Sequence, residues 1–338
     1  MAHGDVSTRS MIKDGIINID KPAGWTSHDV VAKIRGLLRV KKVGHAGTLD
    51  PQATGVLPIC FGKGTKVVQF FIDAEKEYEV ILRLGEETDT QDATGQVIRT
   101  SEVPAGISGQ VQDVVASFVG SYEQMPPMYS AIKVKGVPLY RSARAGKVVE
   151  RTARTVSIRE IRLKGVQGRD VTFSVVCSKG TYVRTLCADI GTKLGVGGHL
   201  LQLRRTRADQ FRISDAVELS RFCEQVAEGD WEQEVYTLNE ALKELPAVWV
   251  KRPYREKVLH GAPVALEGIL KRTSFKKGEA LRLLDPEDHL LAIGRAEIDA
   301  NEIQGSRSSF FKIETVLSDA SERGVQAGVE ESVPSSLY

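Results

Sequence analysis

Little in this chain announces chemistry on its own. The 338 residues include only four cysteines, Cys60, Cys177, Cys187 and Cys223. No two have C-x-x-C spacing, so neither a redox dithiol nor a paired-cysteine zinc site is encoded. Each has apolar neighbours, as in "PICFG" and "TLCADIG", which points to buried, reduced thiols rather than a disulfide framework. The six histidines form no H-x-x-x-H pair, so no metal site is expected. Phosphate-cradling loops are missing too. "FGKGTK" lacks the upstream glycine of a P-loop, and "GVGGHL" is not the dinucleotide fingerprint. No apolar run reaches membrane-span length, so no membrane partner is expected. The opening "MAHGDVSTRSMIKDG" lacks the apolar core of a secretory signal and reads as a flexible leader, 1–13. These absences set the expectation of a cytoplasmic protein.

What is present is a soluble globular composition, 41% hydrophobic and 27% charged, at a length that suits two domains. Net charge is only +2, so global charge carries no argument about nucleic acid. Its distribution does. Lys133, Lys135, Arg141, Arg144, Lys147, Arg151, Arg154, Arg159, Arg162 and Lys164 face only Glu150 and Glu160 between 132 and 164. A second cluster is "RRTR" at 204–207. Such stripes are usually solvated faces, but two in a near-neutral chain point to a phosphate-backbone partner.

Periodicity organises the rest. "GIINIDK" reads as a strand broken at Pro22-Ala23-Gly24, and Thr26 or Ser27 can cap a helix with its apolar face at 30, 31, 34, 37 and 38. "EYEVILRLG" alternates, with Tyr78, Val80, Leu82 and Leu84 on one face. "TDTQDATG" is acidic turn material, and "VQDVVASFVG" is a short amphipathic helix. "VTFSVVCS" is a strand, and the spacing after "KGT" predicts a helix capped by Thr181. Beyond Pro246, short β-type runs separated by turns predict a small β-rich domain at 247–317. The residues 318–338 are polar and read as a disordered tail.

Two features stand out. In "GHAGTLDPQATG", residues 44–55, glycines and Pro51 shape a loop that holds Asp50 and His45. The plain alternative is an Asp-Pro turn. Arg184 falls in the first turn of a helix, where a cation opposes the dipole by roughly 0.3–1 kcal/mol. A surface arginine tolerates that. A buried anion nearby removes the penalty, and Asp50, Asp89 and Asp92 are the candidates.

"GHAGTLDPQATGVLPICFGKGTK" closely resembles the signature of the TruB family of tRNA pseudouridine synthases. "INIDKPAGWTSHDVV", "EKEYEVILRLGEETDTQDATG", "PPMYSAIKVKGVPLY" and "CSKGTYVRTLCADIGTKLGVGGHLLQLRRTR" resemble its other blocks, in the same order, over about 14–212. Ala46 departs from the hydroxyl residue common in relatives, with His45, Asp50 and the glycines intact. The resemblance implies an α+β catalytic domain around a mostly antiparallel sheet at 14–246. A basic RNA-clamping insertion at about 124–155 and a PUA-like domain at 247–317 complete the expected fold.

The implied reaction converts uridine 55 in the T-loop of tRNA to pseudouridine, with no cofactor. Asp50 matches the catalytic aspartate, which can attack C1′ or stabilise charge there. Tyr78 matches the active-site tyrosine; the residue pattern alone would make it a core aromatic. Arg184 matches the arginine paired with the carboxylate, and Asp92 an acid that shares it. His45 matches the residue filling the space left by an extruded base. Lys21 and Tyr182 match pocket-lining positions, and Leu203 an apolar contact to the base. Arg141, Arg144 and Lys147 belong to the expected clamp. The expected partner is the tRNA T-stem-loop, with no guide RNA and no obligate protein partner. Two rival readings are a guide-RNA-dependent enzyme of ribosomal RNA and a tRNA-binding chaperone with dispensable catalysis. The full-length "MYSAIKVKGVPLYRSARAGK" favours the stand-alone type.

Overall fold

The computed structural model describes residues 12–130, 132–134, 136–146, 149–303 and 309–318. Most of the leader and tail, together with Lys135 and Lys147, lie outside the described residues. The chain divides into two compact units that part between Val235 and Tyr236.

The first unit is built on one large mixed sheet. Its strands run Val217–Glu218, Gly15–Lys21, Thr54–Phe61, Gly198–Ala208, Lys76–Leu84, Asp170–Cys177, Arg154–Gln167 and Gly120–Gln124, in spatial order. Along this path only Val217–Glu218 with Gly15–Lys21, and Gly198–Ala208 with Thr54–Phe61, pair in parallel. The alternation read in Lys76–Leu84 is a pleat: Tyr78, Val80, Leu82 and Leu84 are buried, and Glu79 is exposed. Gly15–Lys21 differs, because Ile16, Ile17 and Ile19 are all fully buried, so both faces of that strand are covered.

Helices supply the cover. Ser27–Leu38 buries Val30 and Ile34, and Thr26 closes a capping box with Asp29. Val183–Lys193 buries Val183, Leu186, Cys187 and Ile190. Each such aliphatic side chain contributes roughly 1.5–3 kcal/mol on full burial, enough to hold these short helices on the sheet. Thr181 is not the cap. Its hydroxyl donates to the Ser178 carbonyl, and Tyr182 stands at the cap position, where its N–H donates to Gln124 Oε1 at 2.8 Å. The four cysteines are free, with Cys60, Cys177 and Cys187 buried. Burial pushes the Cys60 and Cys177 thiols up to about 12.

In the basic insertion, Lys133–Val134 and Val137–Pro138 form a two-stranded hairpin ahead of the helix Leu139–Arg144. Arg141 is exposed. The later cations of the basic run have another setting. Arg159, Arg162 and Lys164 lie on Arg154–Gln167 and pair with Glu75, Glu160 and Glu79, so this part of the stripe is a carboxylate-matched sheet face.

The second unit holds a five-stranded sheet in the order Ile269–Arg272, Ala247–Val250, Ala280–Leu284, Leu290–Ala296 and Phe311–Val316. Val248, Val250, Leu281, Leu283 and Leu291 form its core, with Phe275 stacked on Phe310. Among the described residues, no helix is long and apolar enough to cross a membrane.

Candidate active site

The loop 44–55 is shaped by two of its glycines. Gly47 and Gly55 take φ of +110° and +100°, the left-handed region that disfavours side chains. A Cβ on Gly55 would lie 2.2 Å from the Arg205 carbonyl oxygen, so only glycine fits. The Ser27 hydroxyl donates to the Leu49 carbonyl and accepts from the Leu49 N–H. The Pro51 carbonyl accepts from the Gly24 N–H and from Lys21 Nζ. Asp50 therefore stands between two anchored neighbours.

Arg184 occupies the second position of its helix and is 5% exposed. Its Nε lies 2.8 Å from Asp50 Oδ2, and its Nη2 donates to Asp50 Oδ1 at 3.3 Å. Nη2 also donates to the Tyr129 carbonyl and Nη1 to that of Thr90. Asp92 Oδ2 is 3.7 Å from Nη1. The other Asp92 oxygen accepts from the Thr90 hydroxyl and from the N–H and hydroxyl of Thr94. Of the acids left open by the sequence, Asp50 and Asp92 face Arg184. Asp89 instead accepts from the Gln96 N–H.

The Asp50 side chain keeps 39% exposure, while Arg184 is buried behind it. Burial pushes the Asp50 carboxyl above the ordinary carboxylate range; Arg184 and Lys21 pull it down, and Asp92 pushes it up. One guanidinium serves two acids, so its compensation is shared.

Tyr78 is buried beside Arg205, which faces it across the ladder, and burial raises the phenol above its usual value. Leu203, opposite Val80, is half-buried on that face. Burial, with His28 and Arg205 nearby, lowers the His45 imidazole to about 4, so it is neutral at physiological pH. Its Nδ1 is buried with no partner among the described residues.

Lys21 is fully buried. Its Nζ donates to the carbonyls of Pro22, Trp25 and Pro51, so all three protons are committed to the backbone. Burial lowers it to about 8. It braces the Asp50 loop rather than offering a free cation. Tyr182 is half-buried at its helix start.

"RRTR" also needs correction as a cationic stripe. Arg204 pairs with Asp20 at 2.6 Å and Arg207 with Glu77 at 3.3 Å, while Arg205 is 1% exposed. The strand's period of two turns Arg205 inward, a signal that was present in "LRRTRA". Lys76 was missed altogether. It donates to the carbonyls of Phe71, Ile72 and Ala74, closing the short helix Val68–Ile72. A cleft of about 440 Å³, lined by Lys21, Trp25, Lys33, Arg204 and Leu219 among others, does not include Asp50, Tyr78 or Arg184.

Comparison with known proteins places this geometry. Residues 35–183 match the N-terminal domain of TruB family pseudouridylate synthase, 184–247 the tRNA pseudouridylate synthase B C-terminal domain, and 246–309 the PUA domain. A solved H/ACA RNP bound to a substrate RNA containing 2′-deoxyuridine has a chain with TM-score 0.73 and 30% identity. The match covers 91% of this chain and 86% of that one. A Cbf5–Nop10–Gar1 complex gives 0.72 at 32% identity over 90% and 85%. This sheet, matched by the pseudouridylate synthase family and followed along the chain by a PUA domain, belongs to the pseudouridine synthases. Curated relatives narrow the class. The tRNA pseudouridine synthase B of Syntrophotalea carbinolica is 44% identical over 90% of this chain and 98% of its own. That of Alkaliphilus oremlandii is 46% identical over 73% and 82%. The chain belongs to the TruB family of tRNA pseudouridine synthases, enzymes that isomerise uridine in tRNA to pseudouridine.

Proposed function

We propose that the target is uridine 55 in the T-loop of tRNA, reached by extruding the base from its stack. The N1–C1′ bond breaks, the uracil turns, C5 joins C1′, the C5 proton leaves and N1 gains one. No redox equivalent or donor group is required. Asp50 acts at C1′, as nucleophile or by stabilising positive charge. Arg184 holds the carboxylate in a fixed plane. Tyr78, kept as a neutral phenol by its burial, stacks on the uracil and can pass a proton. Neutral His45 fills the gap left by the base, and Leu203 and Tyr182 line the pocket. Arg141, Arg144 and Lys147 hold phosphates. In this division of labour 14–246 catalyses, and 247–317 adds RNA affinity.

The observation that carries the reading is the 2.8 Å contact between Arg184 and a carboxylate that keeps one side open. The similarity to a chain of an H/ACA RNP bound to a substrate RNA, at 30% identity, supports the guide-dependent enzyme as a second reading. Relatives above 40% identity named for tRNA favour tRNA without a guide. The experiment is single-turnover tritium release from C5-labelled uridine in tRNA, without guide RNA, for wild type and Asp50→Asn, alongside filter binding. Wild type should react unaided. Asp50→Asn should bind within a few-fold and form no product, a loss far beyond the tenfold that about 1.4 kcal/mol represents. Turnover by Asp50→Asn, with deamidation excluded by mass spectrometry, removes Asp50 from the chemistry.

A further inference from the structure

Arg205 is 1% exposed, yet among the described residues it makes no ion pair with a carboxylate. A buried guanidinium without an anion is costly unless its donors are well satisfied. They go instead to the main chain. Nε donates to the Val56 carbonyl at 2.7 Å, Nη2 to Gly47 at 3.1 Å and Nη1 to Thr48 at 3.5 Å. Two of these carbonyls precede Asp50 and the third follows Gly55, so one side chain spans the base of the Asp50 loop. The Arg205 backbone fills the space beside Gly55. The same residue stands opposite Tyr78 in the ladder, and its charge works against the rise of the phenol.

We propose that Arg205 is a positioning residue that ties the loop bearing Asp50 to the strand bearing Tyr78, so that carboxylate and phenol keep a fixed spacing across the bound uridine. The inference rests on the assignment of Asp50 and Tyr78 above. Carbonyl acceptors explain why the cation has no acid beside it. A third carboxylate here would add negative charge near Asp50 and push its carboxyl further up. The charge also reaches the rest of the site: Arg205 holds Lys21, Lys76 and His45 down and pulls against the rise at Tyr78.

The test compares Arg205→Lys, Arg205→Gln and Asp50→Asn in single-turnover tritium release, filter binding and thermal unfolding. The His45 imidazole is also titrated by NMR. Arg205→Lys keeps the charge but loses the three-way fork. It should hold tRNA affinity within about threefold and lose about a hundredfold in rate, the scale expected for an ångström of misplacement. Arg205→Gln should lose more, and His45 should titrate above its starting value of about 4, because a repelling cation is gone. A rate for Arg205→Lys within threefold of wild type, beside an inactive Asp50→Asn, overturns the inference alone. Rate, affinity and unfolding temperature falling together, or both arginine variants failing to fold, assign Arg205 to stability and overturn it as well. Turnover by Asp50→Asn overturns the underlying assignment, and the inference with it.

Discussion

Arg184 Nε lies 2.8 Å from Asp50 Oδ2, although 134 residues separate the two and the arginine sits where a helix disfavours cations. The pair accounts for that placement. The carboxylate removes the electrostatic conflict at the helix start, and the helix start fixes the carboxylate. Arg184→Lys tests the geometry of the pair. Lysine retains charge but cannot meet Asp50 and the carbonyls of Tyr129 and Thr90 together. The expected result is a loss of about a hundredfold or more in single-turnover rate, with tRNA affinity within a few-fold. A near-normal rate would show that the planar fork is dispensable.

The acid limb of the reaction reads the Asp50 carboxyl. Burial raises it above the ordinary 3.8, so the rate should fall with decreasing pH before that value is reached. The neighbours give the sign of each shift. Arg184 favours the ionised form, so Arg184→Gln should move the limb to higher pH. Asp92 disfavours it, so Asp92→Asn should move the limb to lower pH. Single-turnover rates across pH 4–7 check both directions. Shifts of the same sign in the two variants would contradict the shared-guanidinium arrangement.

Much of this site was legible in the sequence because its parts are local. The alternation that buries Tyr78, the glycines around Asp50 and the odd position of Arg184 each follow from spacing. Spacing alone left Asp89 and Asp92 both open, and only the family resemblance pointed to Asp92. The choice depends on which acid the turn directs toward Arg184, and that is set by the hydroxyls of Thr90 and Thr94. The inward turn of Arg205 was not recognised, because four neighbouring polar residues looked like surface. The strand period alone could have separated Arg205 from Arg204, but its partners are main-chain carbonyls some 150 residues away. The backbone acceptors of Lys21 were not legible for the same reason: they leave no signature in side-chain pattern.

The glycines of the loop separate by cause. Gly55→Ala places a Cβ within 2.2 Å of a backbone oxygen at a φ of +100°, and neither can yield easily. Strain and overpacking together should cost about 2–5 kcal/mol. Gly44→Ala meets nothing within 4 Å and has no left-handed φ, so it should change stability by less than about 0.5 kcal/mol. Calorimetric unfolding of both variants decides the matter. Equal effects would mean that the glycines serve flexibility rather than close approach.

The basic insertion makes the last prediction. Its cations differ from those further along the chain, since Arg159, Arg162 and Lys164 are matched by carboxylates while Arg141 is exposed. Phosphate contacts release counterions, so removing them lowers affinity and flattens its dependence on salt. Arg141→Ala, Arg144→Ala and Lys147→Ala combined should weaken tRNA binding and reduce the slope of log affinity against log salt by up to about 2–3. The control is Arg159→Ala, Arg162→Ala and Lys164→Ala combined. These residues already have anionic partners, so the slope should change little. Filter binding between 50 and 200 mM salt, roughly the range over which such slopes are read, distinguishes the two sets. A steeper loss of slope in the second set would move the RNA contact from the insertion to the sheet face.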